Sequence, residues 1–186
     1  SIEANKYSIA AYQLLAVMLR KENRKNDAMK VLDSIAAMDP LNHFANFERY
    51  RWDSTEVNRE KLAGMVRNEM PAQTYLELAA WYYDAGLNEE ALRVLNVVPG
   101  NEPEIVYWKA FLSGARLNTS ALEPGYMFPF RNETAAILEK LIPGNDNWLL
   151  KYHLALVRWN SNDIASAKKL FEECGEQPGY APYYAA

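Results

Sequence analysis

The 186-residue chain is poor in the residue types that most often build metal sites and reactive centres. It has one cysteine, which excludes an internal disulfide, and Cys174 lies in a predicted helix near Phe171, where a packed thiol is favoured over a reactive one. The two histidines, His43 and His153, are far apart in sequence and show no paired ligand spacing. Neither a Gly-rich phosphate loop nor a nucleophile elbow is present. We therefore predict no metal, no cofactor and no catalytic residue in this chain.

The sequence also lacks long apolar runs and an excess of basic charge. No run approaches the roughly 18 residues that a membrane-spanning helix needs, and the segment from Ser1 to Ala4 is no signal peptide. The net charge is −4, with 20 basic residues interspersed among 24 acidic ones, so there is no broad basic surface for phosphates. We expect a soluble protein with no membrane insertion and no nucleic-acid partner. The compartment, cytoplasmic or periplasmic, stays open.

The clearest positive feature of the sequence is an internal repeat. Seven aromatic, leucine, alanine and proline positions recur in the same order 63 residues later. The first copy consists of Tyr12, Leu15, Ala16, Leu19, Ala28, Leu32 and Pro40, and the second of Tyr75, Leu78, Ala79, Tyr82, Ala91, Leu95 and Pro103. The bulky residues would join two helices, the alanines would let them approach closely, and the proline would end the second helix. The repeat therefore predicts paired helices.

These spacings resemble the tetratricopeptide (TPR) pattern W-x2-L-G-x2-Y…A-x3-F…P, in which each repeat of about 34 residues is a helical hairpin. The resemblance implies an all-α fold, a TPR-like superhelix of about five hairpins in one domain over residues 1–186. The hairpins are predicted at about 6–40, 41–70, 71–103, 104–142 and 147–178, the fourth with an inserted loop at 118–130. In the third, Gly86 is predicted to form a left-handed helix cap and Asn88 to cap the next helix.

In the TPR family the first helix of each hairpin lines a concave groove. The family register assigns to this groove Gln13, Arg20, Lys21, Leu76, Tyr83, Asp84, Trp108, Arg116, Tyr152 and Trp159. Aromatic rings with isolated charges suit the binding of a peptide or protein segment, so we expect a non-catalytic interaction or scaffold module. The alternative is that the aromatic residues pack between repeats or under the inserted loop, and the register does not decide between the two.

The inserted loop is too apolar for an ordinary solvated connection, with Tyr126, Phe128 and Phe130 near its tip. We expect these side chains to dock, either on the helices of this chain or on another domain of the same polypeptide. Docking on another domain would make the chain a structural brace between neighbouring domains. Bracing is therefore the alternative function.

The last third of the chain carries a second resemblance. The motifs from Phe128 to Thr134, from Tyr152 to Leu156 and from Cys174 to Tyr184 are similar to the C-terminal repeats of large bacterial proteins that join a mutarotase-like β-sandwich region to TPR repeats. This resemblance implies a carbohydrate-related setting and transfers no catalytic residue. The stretch Ala181-Pro182-Tyr183-Tyr184 also resembles the opening turn of another hairpin, so we expect a fragment of a longer repeat protein.

Overall fold

The computed structural model describes residues 8–66, 70–98, 101–122 and 129–177. These residues form ten α-helices, two short 3-10 segments at Thr119–Ala121 and Ile142–Gly144, and no strand, which confirms the prediction of an all-α protein. The α-helices are α1 (Ile9–Lys21), α2 (Lys25–Met38), α3 (His43–Trp52), α4 (Glu56–Met65), α5 (Pro71–Asp84), α6 (Asn88–Asn96), α7 (Pro103–Ser113), α8 (Asn132–Leu141), α9 (Trp148–Asn160) and α10 (Ile164–Glu173).

The helices follow the predicted order of pairs. Each of the five predicted hairpin ranges contains two helices, with α1 and α2 in the first and α9 and α10 in the last. The long connection of the fourth pair runs between α7 and α8, where the insertion is predicted. The arrangement of the pairs as a TPR-like superhelix stays a prediction.

The chain divides into two compact units, residues 1–78 and 79–186, with the boundary inside α5. In the first unit α1 packs on α2 and α3, α2 packs on α3, and α3 packs on α4. In the second unit α6 packs on α7, α7 on α8, α8 on α9 and α9 on α10. The second helix of a pair therefore contacts the first helix of the next pair within each unit. The prediction of one domain over the whole chain is not tested by this division.

Small and aliphatic residues of the repeat occupy equivalent core positions in both copies. Ala16, Ala28 and Leu32 have at most 1% of their surface exposed, and so do Ala79, Ala91 and Leu95. Alanine at a helix contact lets the two backbones approach, and leucine fills the space beside it. The burial of the same positions in both copies explains why these residues recur in the sequence.

Three of the hairpins turn by the same backbone geometry. Asn23, Gly86 and Asn162 have positive φ angles of 58°, 73° and 62°, and each follows the first helix of its pair by two residues. The N–H of the next residue in each turn donates to the carbonyl five residues earlier at 2.8–2.9 Å, which is the Schellman motif. The prediction of a left-handed cap at Gly86 is confirmed.

The predicted cap at Asn88 is wrong. Asn88 is already the first residue of α6, Leu87 occupies the capping position, and no side-chain capping bond forms there. The reason is the short turn, because the N–H of Leu87 bonds to the carbonyl of Tyr82 and the next helix begins one residue later.

Candidate functional site

Three of the residues predicted to line the groove are core residues. Leu76, Trp108 and Tyr152 are at most 5% exposed, so they cannot present their side chains to a partner as they stand. Trp108 also uses its polar atom internally: its indole Nε1 donates to Thr134 Oγ1 at 3.0 Å, and that hydroxyl donates to Glu104 Oε1 at 3.1 Å. For Trp108 and Tyr152 the alternative interpretation, packing inside the helical stack, is the correct one.

The charged and polar residues of the predicted groove are more accessible. Gln13 is partly buried on α1, while Lys21, Asp84 and Arg116 are exposed. Arg20 is different, because its Nε donates to Glu48 Oε2 at 2.7 Å and the two side chains are only 12% and 1% exposed. This ion pair joins α1 to α3, the first helix of the following hairpin.

Tyr83 makes an aromatic contact of the same kind between hairpins. Its ring meets those of Trp108 and Phe111 on α7 edge to face, each with a centroid distance of 5.7 Å. Lys140 Nζ donates to Tyr83 Oη at 3.4 Å and lies 4.9 Å from the centroid of the Phe111 ring. Tyr83 therefore contacts the first helix of the following hairpin, as Arg20 does.

The two contacts use equivalent positions. Arg20 and Tyr83 are the last residue but one of α1 and α5, and Glu48 and Trp108 are the sixth residues of α3 and α7. The Arg20–Glu48 pair is ionic and the Tyr83–Trp108 pair is aromatic. The two contacts therefore share a position on the helices but differ in the type of interaction. We call the last residue but one of α1, α5 and α9 the docking position.

Trp159 occupies the docking position of α9, and there the ring is open. It is 50% exposed and borders a groove of about 490 Å³. The groove is lined by Trp159, Ile164, Ala167, Lys168, Phe171 and Glu172, and we call these six residues the Trp159 surface. Trp159 and Phe171 meet edge to face at 6.2 Å, so the floor of the groove is aromatic and aliphatic.

The second helix of the last hairpin, α10, is also more exposed than its counterparts α2 and α6 at an equivalent position. Phe171 stands where Leu32 and Leu95 stand in the two best-matched repeats. Both leucines are fully buried on helices that contact the next pair, whereas Phe171 is only partly buried. The sequence analysis identified neither Phe171 nor Ile164 as a candidate binding residue, because the repeat pattern fixes a residue's position and not whether a following helix covers it.

The inserted loop is described only at its end. Tyr126 and Phe128 lie outside the described residues, so their predicted docking stays a prediction. Phe130 is 46% exposed, and the Arg131 guanidinium lies 5.3 Å from the centroid of its ring. Pro129 beside it is buried. Phe130 therefore adds a half-exposed aromatic ring next to the start of α8.

The remaining reactive side chains are used in packing. His153 is fully buried, its Nδ1 lies 2.9 Å from the Tyr107 hydroxyl, and burial lowers its pKa to about 3. Cys174 is buried, its Sγ donates to the Leu170 carbonyl at 3.2 Å, and burial raises its pKa. The prediction of a packed thiol is confirmed. Within residues 8–66, 70–98, 101–122 and 129–177, no group of three or more His, Cys, Asp or Glu side chains could hold a metal ion.

Comparison with known proteins adds no family. No protein-family model matches the chain, and no curated protein matches it. None of the helices in the described part of the chain is long and apolar enough to cross a membrane.

Proposed function

We propose that this chain is a non-catalytic, TPR-like scaffold that binds a helix of a protein partner on the Trp159 surface. The observation that carries the proposal is the difference between three equivalent positions. Arg20 and Tyr83 each contact the first helix of the next hairpin, while Trp159 is half exposed beside an apolar groove. Arg20 and Tyr83 each contact a helix that lies across their hairpin. We therefore expect the Trp159 surface to bind a helix in the same way.

The chemistry of the surface restricts the helix. An exposed tryptophan beside Phe171 and Ile164 favours an aromatic or aliphatic side chain at the place that Glu48 and Trp108 fill in the internal contacts. Lys168 and Glu172 at the rim can bond to polar groups on the edges of an amphipathic helix. The partner is therefore a helix with one apolar face and a mixed polar face.

A peptide made from α7 tests this function, because α7 is the helix that this chain already docks beside Tyr83. The peptide covers residues 103–113 and is chemically stapled, since an isolated helix of this length is marginal in water. We expect it to bind the chain, and we expect Trp159→Ala to weaken binding about tenfold, or about 1.4 kcal/mol. Fluorescence anisotropy of the labelled peptide measures both affinities.

Leu41→Ala is the matched control, since Leu41 is an exposed apolar residue of the first unit and lies outside the Trp159 surface. Its affinity for the peptide should equal that of the unaltered chain. Equal binding by the Trp159→Ala chain would contradict the proposed function. Circular dichroism of both variants checks that the helices are retained.

A second candidate function, bracing of neighbouring domains of a longer polypeptide, is favoured by α1. Leu14 and Met18 are one helical turn apart and are 50% and 59% exposed. At the equivalent positions of α9, His153 and Val157 are fully buried. If this face braces a preceding domain, Leu14→Ser with Met18→Ser should leave this chain's stability unchanged and speed proteolysis between the domains of a longer polypeptide. Unchanged proteolysis would rule this candidate out.

A further inference from the structure

We infer that the helix bound by the Trp159 surface is α1 of a second copy of this chain, with Leu14 and Met18 of one copy packed on the Trp159 surface of another. The inference rests on the proposed function, since it names the partner of that surface. It also assigns Leu14 and Met18 to a second copy rather than to a preceding domain. Copies of the chain would then associate through two different surfaces.

The exposed side of α1 has the chemistry that the Trp159 surface requires of a partner helix. Leu14 and Met18 lie one turn apart and are 50% and 59% exposed, and Ala10, one turn before Leu14, is exposed as well. We call these three residues the α1 face. Gln13 and Lys21 beside it are polar. α1 therefore presents an apolar row with polar neighbours, as an amphipathic docking helix does.

α1 also leaves open two positions that the docked helices α3 and α7 bury. These positions lie two residues before and one residue after a buried aromatic residue, which is Phe47 on α3 and Tyr107 on α7. The residues at these positions are at most 1% exposed, and they are Ala45 and Glu48 on α3 and Ile105 and Trp108 on α7. The same positions around Tyr12 hold Ala10, which is exposed, and Gln13, which is partly buried. α1 can therefore accept a hairpin where α3 and α7 contact the preceding one.

Among the helices that the structure describes, α4 carries another pair of exposed apolar residues and fits the Trp159 surface less well. Val57 and Met65 are 62% and 46% exposed. They lie two turns apart, and the exposed Lys61 stands between them on the same side of the helix. α4 is also the second helix of its pair, whereas both α3 and α7 are first helices. These differences favour α1 as the docked helix.

The contact joins two unlike surfaces. The α1 face belongs to the first compact unit and the Trp159 surface to the second. A contact of this kind leaves each pair of copies with one α1 face and one Trp159 surface free, so further copies can add until the assembly closes. Because the surfaces are different, a mutation can remove one of them and leave the other intact.

Sedimentation velocity of two one-sided variants tests the inference. Leu14→Ser with Met18→Ser, the double serine chain, removes the α1 face, and Trp159→Ala removes the ring of the Trp159 surface. We expect the average mass of the unaltered chain to rise between about 1 and 100 μM, and each variant alone to associate at least about tenfold more weakly. An equal mixture of the two variants should form a complex of two chains as readily as the unaltered chain associates, because each supplies the surface that the other lacks.

Leu41→Ser is the matched control, since Leu41 is 72% exposed and lies outside both surfaces. This chain should associate as the unaltered chain does, and circular dichroism checks that all variants keep their helices. The inference is overturned if the unaltered chain has the mass of one chain at every concentration, as it would if the α1 face braces another domain. It is also overturned if the mixture associates no better than either variant alone, because the contact would then not join α1 to the Trp159 surface.

The stapled α7 peptide separates this inference from the proposed function. If both hold, an excess of the peptide should return the associated chain to single copies, since the peptide and α1 use the same surface. Peptide binding that Trp159→Ala weakens, in a chain that does not associate with itself, would contradict the inference alone. Peptide binding that Trp159→Ala leaves unchanged would contradict the proposed function.

Discussion

The docking position does not require one residue type, because Arg20, Tyr83 and Trp159 all occupy it. The three occupy the same place on their helices, yet the first forms an ion pair, the second an aromatic contact, and the third borders an open groove. The backbone supplies the position, and the partner residue on the facing helix must only match in charge or in shape. A sequence pattern based on residue type therefore does not include the docking position.

The Arg20–Glu48 pair should be important for stability because both side chains are largely withdrawn from water. Arg20→Met leaves the Glu48 carboxylate buried without its guanidinium, and we expect it to lower the free energy of unfolding by about 3 kcal/mol. Arg20→Met combined with Glu48→Leu removes both charges and should recover most of that loss. Urea unfolding of the three chains measures the difference.

The exposed pair between Arg49 and Asp33 is the control for this experiment. Its Nη2–Oδ1 distance is also 2.7 Å, but the side chains are 34% and 72% exposed. Arg49→Ala should therefore cost less than about 1 kcal/mol. If Arg20→Met and Arg49→Ala lowered the free energy of unfolding equally, burial of the Arg20–Glu48 pair would make no difference to stability.

His153 should make the chain less stable in acid. Its pKa is lowered to about 3 in the folded chain and is near 6.5 when unfolded, so between these values the unfolded chain binds a proton that the folded chain does not. The stabilising effect of a neutral His153 is complete above pH 6.5 and is lost as the pH falls toward 3. At pH 5 the loss is about 2 kcal/mol.

His153→Gln keeps a polar group near the Tyr107 hydroxyl and removes the titration. Urea unfolding at pH 7 and at pH 5 should show a fall in the free energy of unfolding that is about 2 kcal/mol smaller for this variant than for the unaltered chain. Contributions from the other titratable groups are common to both chains and cancel. The same fall in both chains would contradict the burial of a neutral imidazole.

At the scale of the helical hairpin, the turn after the first helix is the most regular feature. Gly86 adopts a φ of 73°, a conformation that costs an alanine about 1 kcal/mol or more. Gly64 lies inside α4, has an ordinary φ, and nothing lies within 4 Å of where its Cβ would be. We therefore expect opposite results for the same substitution at the two positions.

Gly86→Ala should lower the free energy of unfolding by about 1 kcal/mol, whereas Gly64→Ala should raise it by about 0.5–1 kcal/mol because alanine is the better helix former. Thermal unfolding of both variants beside the unaltered chain gives the signs. A stabilising Gly86→Ala would mean that the turn is not left-handed and that the three hairpins do not share one geometry.

The helices could be predicted from sequence because the repeat fixes their order and spacing. The left-handed turn could be predicted only at Gly86, because glycine is the residue type that most favours a positive φ. Asn23 stands 63 residues earlier, at the same place in the first repeat. Asparagine tolerates the left-handed region but also occurs in many other conformations, so Asn23 and Asn162 carry a weaker signal. The 63-residue offset between Asn23 and Gly86 would have strengthened the prediction of a left-handed turn at Asn23.

At the scale of the whole molecule, the candidate site could be predicted only in part. The family register placed Trp108, Tyr152 and Trp159 on the same type of helix face, and only Trp159 is open. The difference depends on whether another helix packs over each ring, which is a property of neighbouring hairpins and not of local sequence. Glu48 was missed for the same reason, since its partner Arg20 lies on another helix.

The most direct test of the account is to exchange the chemistry of the docking position on the Trp159 surface. Trp159→Arg copies the residue that Arg20 supplies on α1, where the facing sixth residue is glutamate. Two stapled α7 peptides, one with tryptophan and one with glutamate as the sixth residue, are titrated against the unaltered chain and the Trp159→Arg chain. We expect the unaltered chain to prefer the tryptophan peptide and the Trp159→Arg chain to prefer the glutamate peptide. The same order of preference in both chains would contradict this expectation.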